Sequence, residues 1–162
     1  MSLTLVPALG AVIVSAVSYR AVVPDVRLFD SRHVSTDRVG PRFVKTTVAS
    51  HPRDPLNVIA AAIVLDGDST DVAVYSTHDA GRTWLPGRVP GNDGSRSTAL
   101  DPWVIFTSDG TALFTYLTRG PTNNFAVARS QDGGRTWSEP TFVPGGLYDR
   151  QFLVQDTRST ST

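Results

Sequence analysis

The sequence predicts an all-β fold in which four-stranded antiparallel units repeat as the blades of a propeller. Three observations lead there. The unit Thr77-His78-Asp79-Ala80-Gly81-Arg82-Thr83-Trp84 returns as Ser130-Gln131-Asp132-Gly133-Gly134-Arg135-Thr136-Trp137, with 53 positions from Asp79 to Asp132 and again from Trp84 to Trp137. An alternating strand precedes each copy, and a short strand ending in Val-Pro-Gly follows it, at Val89-Pro90-Gly91 and Val143-Pro144-Gly145. No segment keeps a helical period over three turns. A two-sheet sandwich could use similar strands, but it would not set one turn unit at the same joint twice.

In chain order, residues 1–20 come first as an apolar segment. Ser2 to Tyr19 carry no charge, and Val14-Ser15-Ala16 offers the small side chains a signal peptidase requires. This slightly favours export, to the periplasm or outside the cell, with a cytoplasmic location as the alternative. A buried first strand or a misassigned start codon are the alternatives, because no Lys or Arg precedes the run and Pro7 and Gly10 interrupt it. The run is shorter than the ~20 residues of a spanning helix, so no membrane span is expected. Residues 21–41 read as a lead-in.

The first blade, about 42–91, holds strands at 43–50, 56–64, 71–77 and 83–89. The second, about 98–145, holds strands at 103–107, 111–118, 124–130 and 136–143, with Ser108-Asp109-Gly110 as a tight turn between its first two. A third blade opens at Asp149 with a single strand, and 157–162 is a polar tail. Four antiparallel strands every ~40–55 residues is the spacing of propeller blades.

The repeated unit has the chemistry of a hairpin turn. Thr77 or Ser130, with Asp79 or Asp132, can take up backbone N–H groups the turn leaves unpaired. Gly81 and Gly134 enter backbone conformations that strain other residues. Thr83 and Thr136 close the unit, and Trp84 and Trp137 return to the sheet to pack across the turn.

Composition narrows the function classes. Fifteen Lys and Arg balance fifteen Asp and Glu, and only Lys45 is a lysine. A nucleic-acid partner would call for a basic surplus, so none is expected. With no cysteine there is no disulfide, zinc-thiolate site or thiol nucleophile. His33, His51 and His78 lack metal-ligand spacing, and no phosphate-binding glycine loop or EF-hand pattern occurs, so neither metal nor cofactor is expected.

The pattern S/T-x-D-x-G-x-T-W resembles the Asp box of the sialidase (neuraminidase) superfamily and its bacterial Asp-box (BNR) repeat relatives. The resemblance covers about 42–156. It implies a β-propeller of the sialidase type that closes with about six blades. This chain would then be a fragment carrying two blades and the start of a third, prone to self-association through its open edges. It also implies an active site near the axis, on the rim that gathers the turns between second and third strands and the connections between blades. The Asp boxes lie on the other rim, so their residues are expected to be structural, and His78 an exposed turn residue.

Loops on the implied active rim carry Asp68, Asp93, Arg96, Asp101, Arg119, Tyr148, Asp149 and Arg150. In glycoside cleavage a carboxyl group protonates the leaving oxygen, while arginine forks hold an anionic sugar. Asp101, Asp149 and Arg150 are the catalytic candidates, because Asp101-Pro102-Trp103 and Asp149-Arg150-Gln151 align as openings of innermost strands. Either Asp could instead only bond local backbone. The family's F/Y-R-I-P arginine motif is missing, Pro41-Arg42-Phe43 being the nearest segment. Glu139 is the single glutamate and follows the second Asp box, so no Tyr–Glu pair can be named. The expectation is a fragment of an exo-sialidase-like glycoside hydrolase acting on terminal sugars of glycoconjugates, inactive by itself. The alternative is a non-catalytic propeller that binds carbohydrate or serves as a protein-interaction scaffold.

Overall fold

Two four-stranded antiparallel sheets follow one another along the chain, each in plain meander order, β1-β2-β3-β4 and β5-β6-β7-β8. The computed structural model describes residues 31–89, 98–119, 124–144 and 149–157. Expected features at 1–30, and Asp93, Arg96 and Tyr148, lie outside the described residues. No helix occurs among the described residues, and none there is long and apolar enough to cross a membrane.

Sheet 1 comprises β1 (Arg42–Ser50), β2 (Val58–Asp66), β3 (Ser69–Thr77) and β4 (Leu85–Gly87). Sheet 2 comprises β5 (Thr98–Phe106), β6 (Ala112–Arg119), β7 (Asn124–Ser130) and β8 (Thr141–Pro144). The all-β expectation and all eight strands of the two units hold. Several boundaries differ, for local reasons. Leu56 and Asn57 do not start β2, because their N–H groups bond back to Asp54 in a turn. β8 starts at Thr141 rather than Thr136, because the Thr136 N–H and hydroxyl are both spent on Asp132. The strand expected from Asp149 does not form: residues 149–157 run beside β5 without ladder pairing.

The core lies between the sheets. Ile59, Ala61, Val72 and Val74 from one face of sheet 1 meet Ala99, Val104, Phe114, Tyr116 and Ala126 of sheet 2. The alternation of a strand assigns these positions, since every second side chain shares a face. Trp137 closes this core against Phe114, with ring centroids 5.5 Å apart. A smaller cluster on the opposite face of sheet 1 joins Val64, Ala73 and Tyr75 to Val34, Phe43 and Trp84. The equivalent tryptophans of the two turn units thus sit on equivalent faces of successive sheets.

Candidate functional site

The two repeated turns are near-identical hydrogen-bond cages. In the first, the Thr77 hydroxyl donates to Asp79 Oδ1 at 2.7 Å and accepts from the Gly81 N–H at 2.9 Å. Asp79 also accepts from the Thr83 N–H at 2.9 Å and its hydroxyl at 2.6 Å. In the second, Ser130 donates to Asp132 at 2.8 Å and accepts from Gly134 N–H at 2.8 Å, while Asp132 accepts from Thr136 N–H and hydroxyl at 2.9 and 2.5 Å. The bonds from Thr83 and Thr77 pull the Asp79 carboxyl down to about 2. For Asp132, burial pushes the carboxyl up, but bonds from Thr136, Ser130 and the Arg135 N–H outweigh it, and it too lies below its ordinary value. Each aspartate has its acceptors committed to its own turn, so these residues are structural.

The turns also join the sheets. Asn57, 3 % exposed, donates its amide to Thr77 O at 2.9 Å and to Gly133 O at 3.0 Å, one partner in each repeated turn. Gly134 adopts φ +91°, and a Cβ there would lie 2.8 Å from Ile59 Cδ1. His78 departs from expectation. It is half-buried against Gly133, its Nε2 is buried without a hydrogen-bond partner, and burial lowers its pKa from 6.5, with Arg135 adding to the shift.

The other concentration of charge lies on the first strands. Both β1 and β5 carry a bulge, between Val44 and Thr47 and between Leu100 and Trp103. The residue that enters each bulge is charged and has positive φ: Lys45 at 49° and Asp101 at 48°. Arg150, at 52°, repeats this geometry in the segment beside β5. Left-handed backbone costs an L-residue ~1–2 kcal/mol, and proteins mostly use Gly there. The two bulges and the segment beside β5 thus each set a charged residue at positive φ.

These residues line one cleft of about 140 Å³, with Thr46, Trp103, Gln151 and Phe152 among its walls. Lys45 Nζ donates to Asp101 Oδ1 at 2.7 Å. The Asp101 side chain is 12 % exposed and that of Lys45 54 %. Gln151 Nε2 donates to the Asp101 carbonyl, and Phe152 meets Trp103 edge-on with centroids 4.8 Å apart. Arg150 is exposed and makes no ion pair among the described residues.

Of the three catalytic candidates, Asp101 and Arg150 share this cleft, whereas Asp149 is exposed and outside its walls. The positive φ angles align Asp101 with Arg150, one position later than the expected pairing with Asp149. Lys45 was missed. Its signal in the sequence is faint: the one lysine, placed before Thr46-Thr47-Val48 as Asp101 stands before Pro102-Trp103-Val104. Asp68 is exposed at the β2–β3 turn and Arg119 exposed at the end of β6, neither in the cleft. No cluster of His, Asp and Glu able to hold a metal occurs among the described residues. No family model, curated protein or solved structure matches the chain.

Proposed function

We propose that the two sheets are blades of a sialidase-type Asp-box propeller and that the cleft at the bulges of β1 and β5 binds a terminal sugar of a glycoconjugate. The observation carrying this reading is the convergence of Lys45, Asp101 and Arg150, each at positive φ, on one cleft. Strained backbone concentrates at binding sites, where surrounding structure holds it in place. The Arg150 fork suits the carboxylate of an acidic sugar, and the Trp103 and Phe152 rings give it apolar walls. The cleft lies at the middle of β1 and β5, whereas the repeated turns follow the ends of β3 and β7, beside the C-terminal ends of β1 and β5.

Binding is favoured over hydrolysis by the contents of the cleft. Glycosidases of the common kind set two carboxyl groups around the scissile bond. Asp101 is the one carboxylate among the cleft's lining residues, and Lys45 occupies one of its oxygens. The two described tyrosines, Tyr75 and Tyr116, are buried and outside the cleft.

The test is calorimetric titration with a sialoside, alongside a fluorogenic sialoside assay. Binding should be lost in Arg150→Ala and kept in Arg82→Ala, which alters an exposed Asp-box residue away from the cleft. Absence of binding by the unaltered chain, or equal loss in both variants, would refute the assignment. Measurable turnover would restore the hydrolase reading.

A further inference from the structure

His78 is held where the two repeats meet. It stands in the first repeated turn, and its ring lies on Gly133 of the second, where a Cβ would come 2.7 Å from His78 Cε1. Asn57 Oδ1 abuts the same glycine, while the Asn57 amide bonds Thr77 O and Gly133 O across the joint. Gly133 takes φ +74°, so both contacts rest on a position that disfavours any side chain. His78 Nε2 is buried here with no hydrogen-bond partner among the described residues.

A neutral imidazole carries one donor and one acceptor. An imidazolium carries two donors and a full charge, which is costly to bury without a partner. The charged groups around the ring are Arg135 and Asp132 of the second turn, Asp54 of the β1–β2 turn and Asp79 of its own turn. Arg135 opposes a second positive charge. Asp79 and Asp132 attract one, but their oxygens are taken by Thr77 and Thr83, and by Ser130, the Arg135 N–H and Thr136. Asp54 is exposed, so its attraction draws the ring towards solvent rather than into the joint. Burial, with Arg135, outweighs the three carboxylates, and the His78 pKa lies below its ordinary 6.5. The closed joint therefore prefers the neutral ring.

We propose that the joint between the two repeated turns is an acid-opened latch: protonation drives His78 off Gly133 and releases the Asn57 bridge, while each turn keeps its own bonds. The turns persist because their carboxylates stay ionised, Asp79 titrating at about 2 and Asp132 below its ordinary value. By linkage, the closed joint is fully favoured above pH 6.5. It loses favour as pH falls from there to the folded value of His78, by up to about tenfold per pH unit. The latch does not depend on sugar binding at the cleft.

The experiment is NMR of the full chain between pH 7.5 and 5.5. It reads the His78 ring titration and the exchange of the Asn57 side-chain amide with water, scaled to free asparagine at each pH. In the unaltered chain the scaled protection of Asn57 should fall several-fold, up to about tenfold, per pH unit below 6.5, with the Gly81 and Gly134 N–H groups still protected in their turns. His78→Gln should abolish the fall. Arg135→Ala, at an exposed side chain, should move the ring titration up towards 6.5 and shrink the fall. Constant Asn57 protection, an equal fall in His78→Gln, a ring titration unmoved by Arg135→Ala, or loss of Gly81 and Gly134 protection at the same pH would each overturn the latch.

Discussion

Replacing Asn57 by Ala tests whether the two sheets fold as one unit through their turns. The side chain is buried and gives its two amide hydrogens to Thr77 O and Gly133 O, at 2.9 and 3.0 Å. Alanine leaves two carbonyls without that donor in a place water reaches poorly. An unsatisfied buried polar group costs about 1–3 kcal/mol, and truncation adds a small cavity. Two carbonyls with partial relaxation give a loss of about 2–4 kcal/mol. For a domain of this size each kcal/mol lowers Tm by roughly 3–5 °C, so the shift is about 6–20 °C. Urea denaturation followed by circular dichroism and by tryptophan fluorescence supplies the measurement. Trp84 reports the outer cluster of sheet 1 and Trp137 the core between sheets, so coincident transitions mark one cooperative unit. A loss under 0.5 kcal/mol, or separate transitions in the unaltered chain, would refute the bridging role.

The acid limb of stability should carry two separable contributions. The His78 pKa lies below its ordinary 6.5 in the folded chain, so its contribution is complete above pH 6.5 and declines as pH falls through the folded value; His78→Gln should flatten denaturation midpoints measured between pH 7.5 and 5.5. Asp79, held at about 2 against 3.8, contributes stability that is full above pH 3.8 and lost towards pH 2, and Asp79→Asn should remove that slope in the same titration. Lys45→Gly should leave stability unchanged or raise it by up to ~1 kcal/mol, because relief of left-handed strain offsets an exposed ion pair, while sugar binding weakens; a loss beyond 1 kcal/mol in urea unfolding would show that Lys45 is there for stability.

What the sequence made legible follows from how local each feature is. The repeated turns could be read because their bonds link residues no more than four apart: Thr77 to Gly81, Asp79 to Thr83, Ser130 to Gly134, Asp132 to Thr136. The strands could be read from alternation, except where a turn consumed the first residues and where the bulge interrupts it, so that β5 starts at Thr98 rather than Trp103. Asn57 gave no such signal, since one of its partners is 76 positions away. The bulges were equally silent. A glycine at positive φ announces itself, but Lys45, Asp101 and Arg150 enter that region with ordinary side chains. The pattern sets Asp101 and Arg150 ahead of strands, whereas Asp101 lies inside β5 at its bulge, Arg150 lies in a segment without ladder pairing, and the shared positive φ pairs Asp101 with Arg150 rather than Asp149 and adds Lys45.

The bulges and the repeated turns differ in how they use their polar groups. At the end of the repeated turns both turn carboxylates are spent: Asp79 and Asp132 bond their own turns, Asn57 ties one turn to the next, and Gly134 lets Ile59 approach. Such an end can vary little without loss of stability, and it offers a ligand few free donors or acceptors. At the two bulges the backbone is held in a costly conformation by residues of opposite charge, Lys45 and Asp101, and Arg150 shares that conformation in the unpaired segment beside β5. If the bulge served only to twist the strand, glycine would do so at lower cost. Keeping the backbone geometry while changing the side chain is what a scaffold requires when each repeat contributes a different group to one shared site. That asymmetry, rather than any single residue, is what the proposed binding at the cleft rests on.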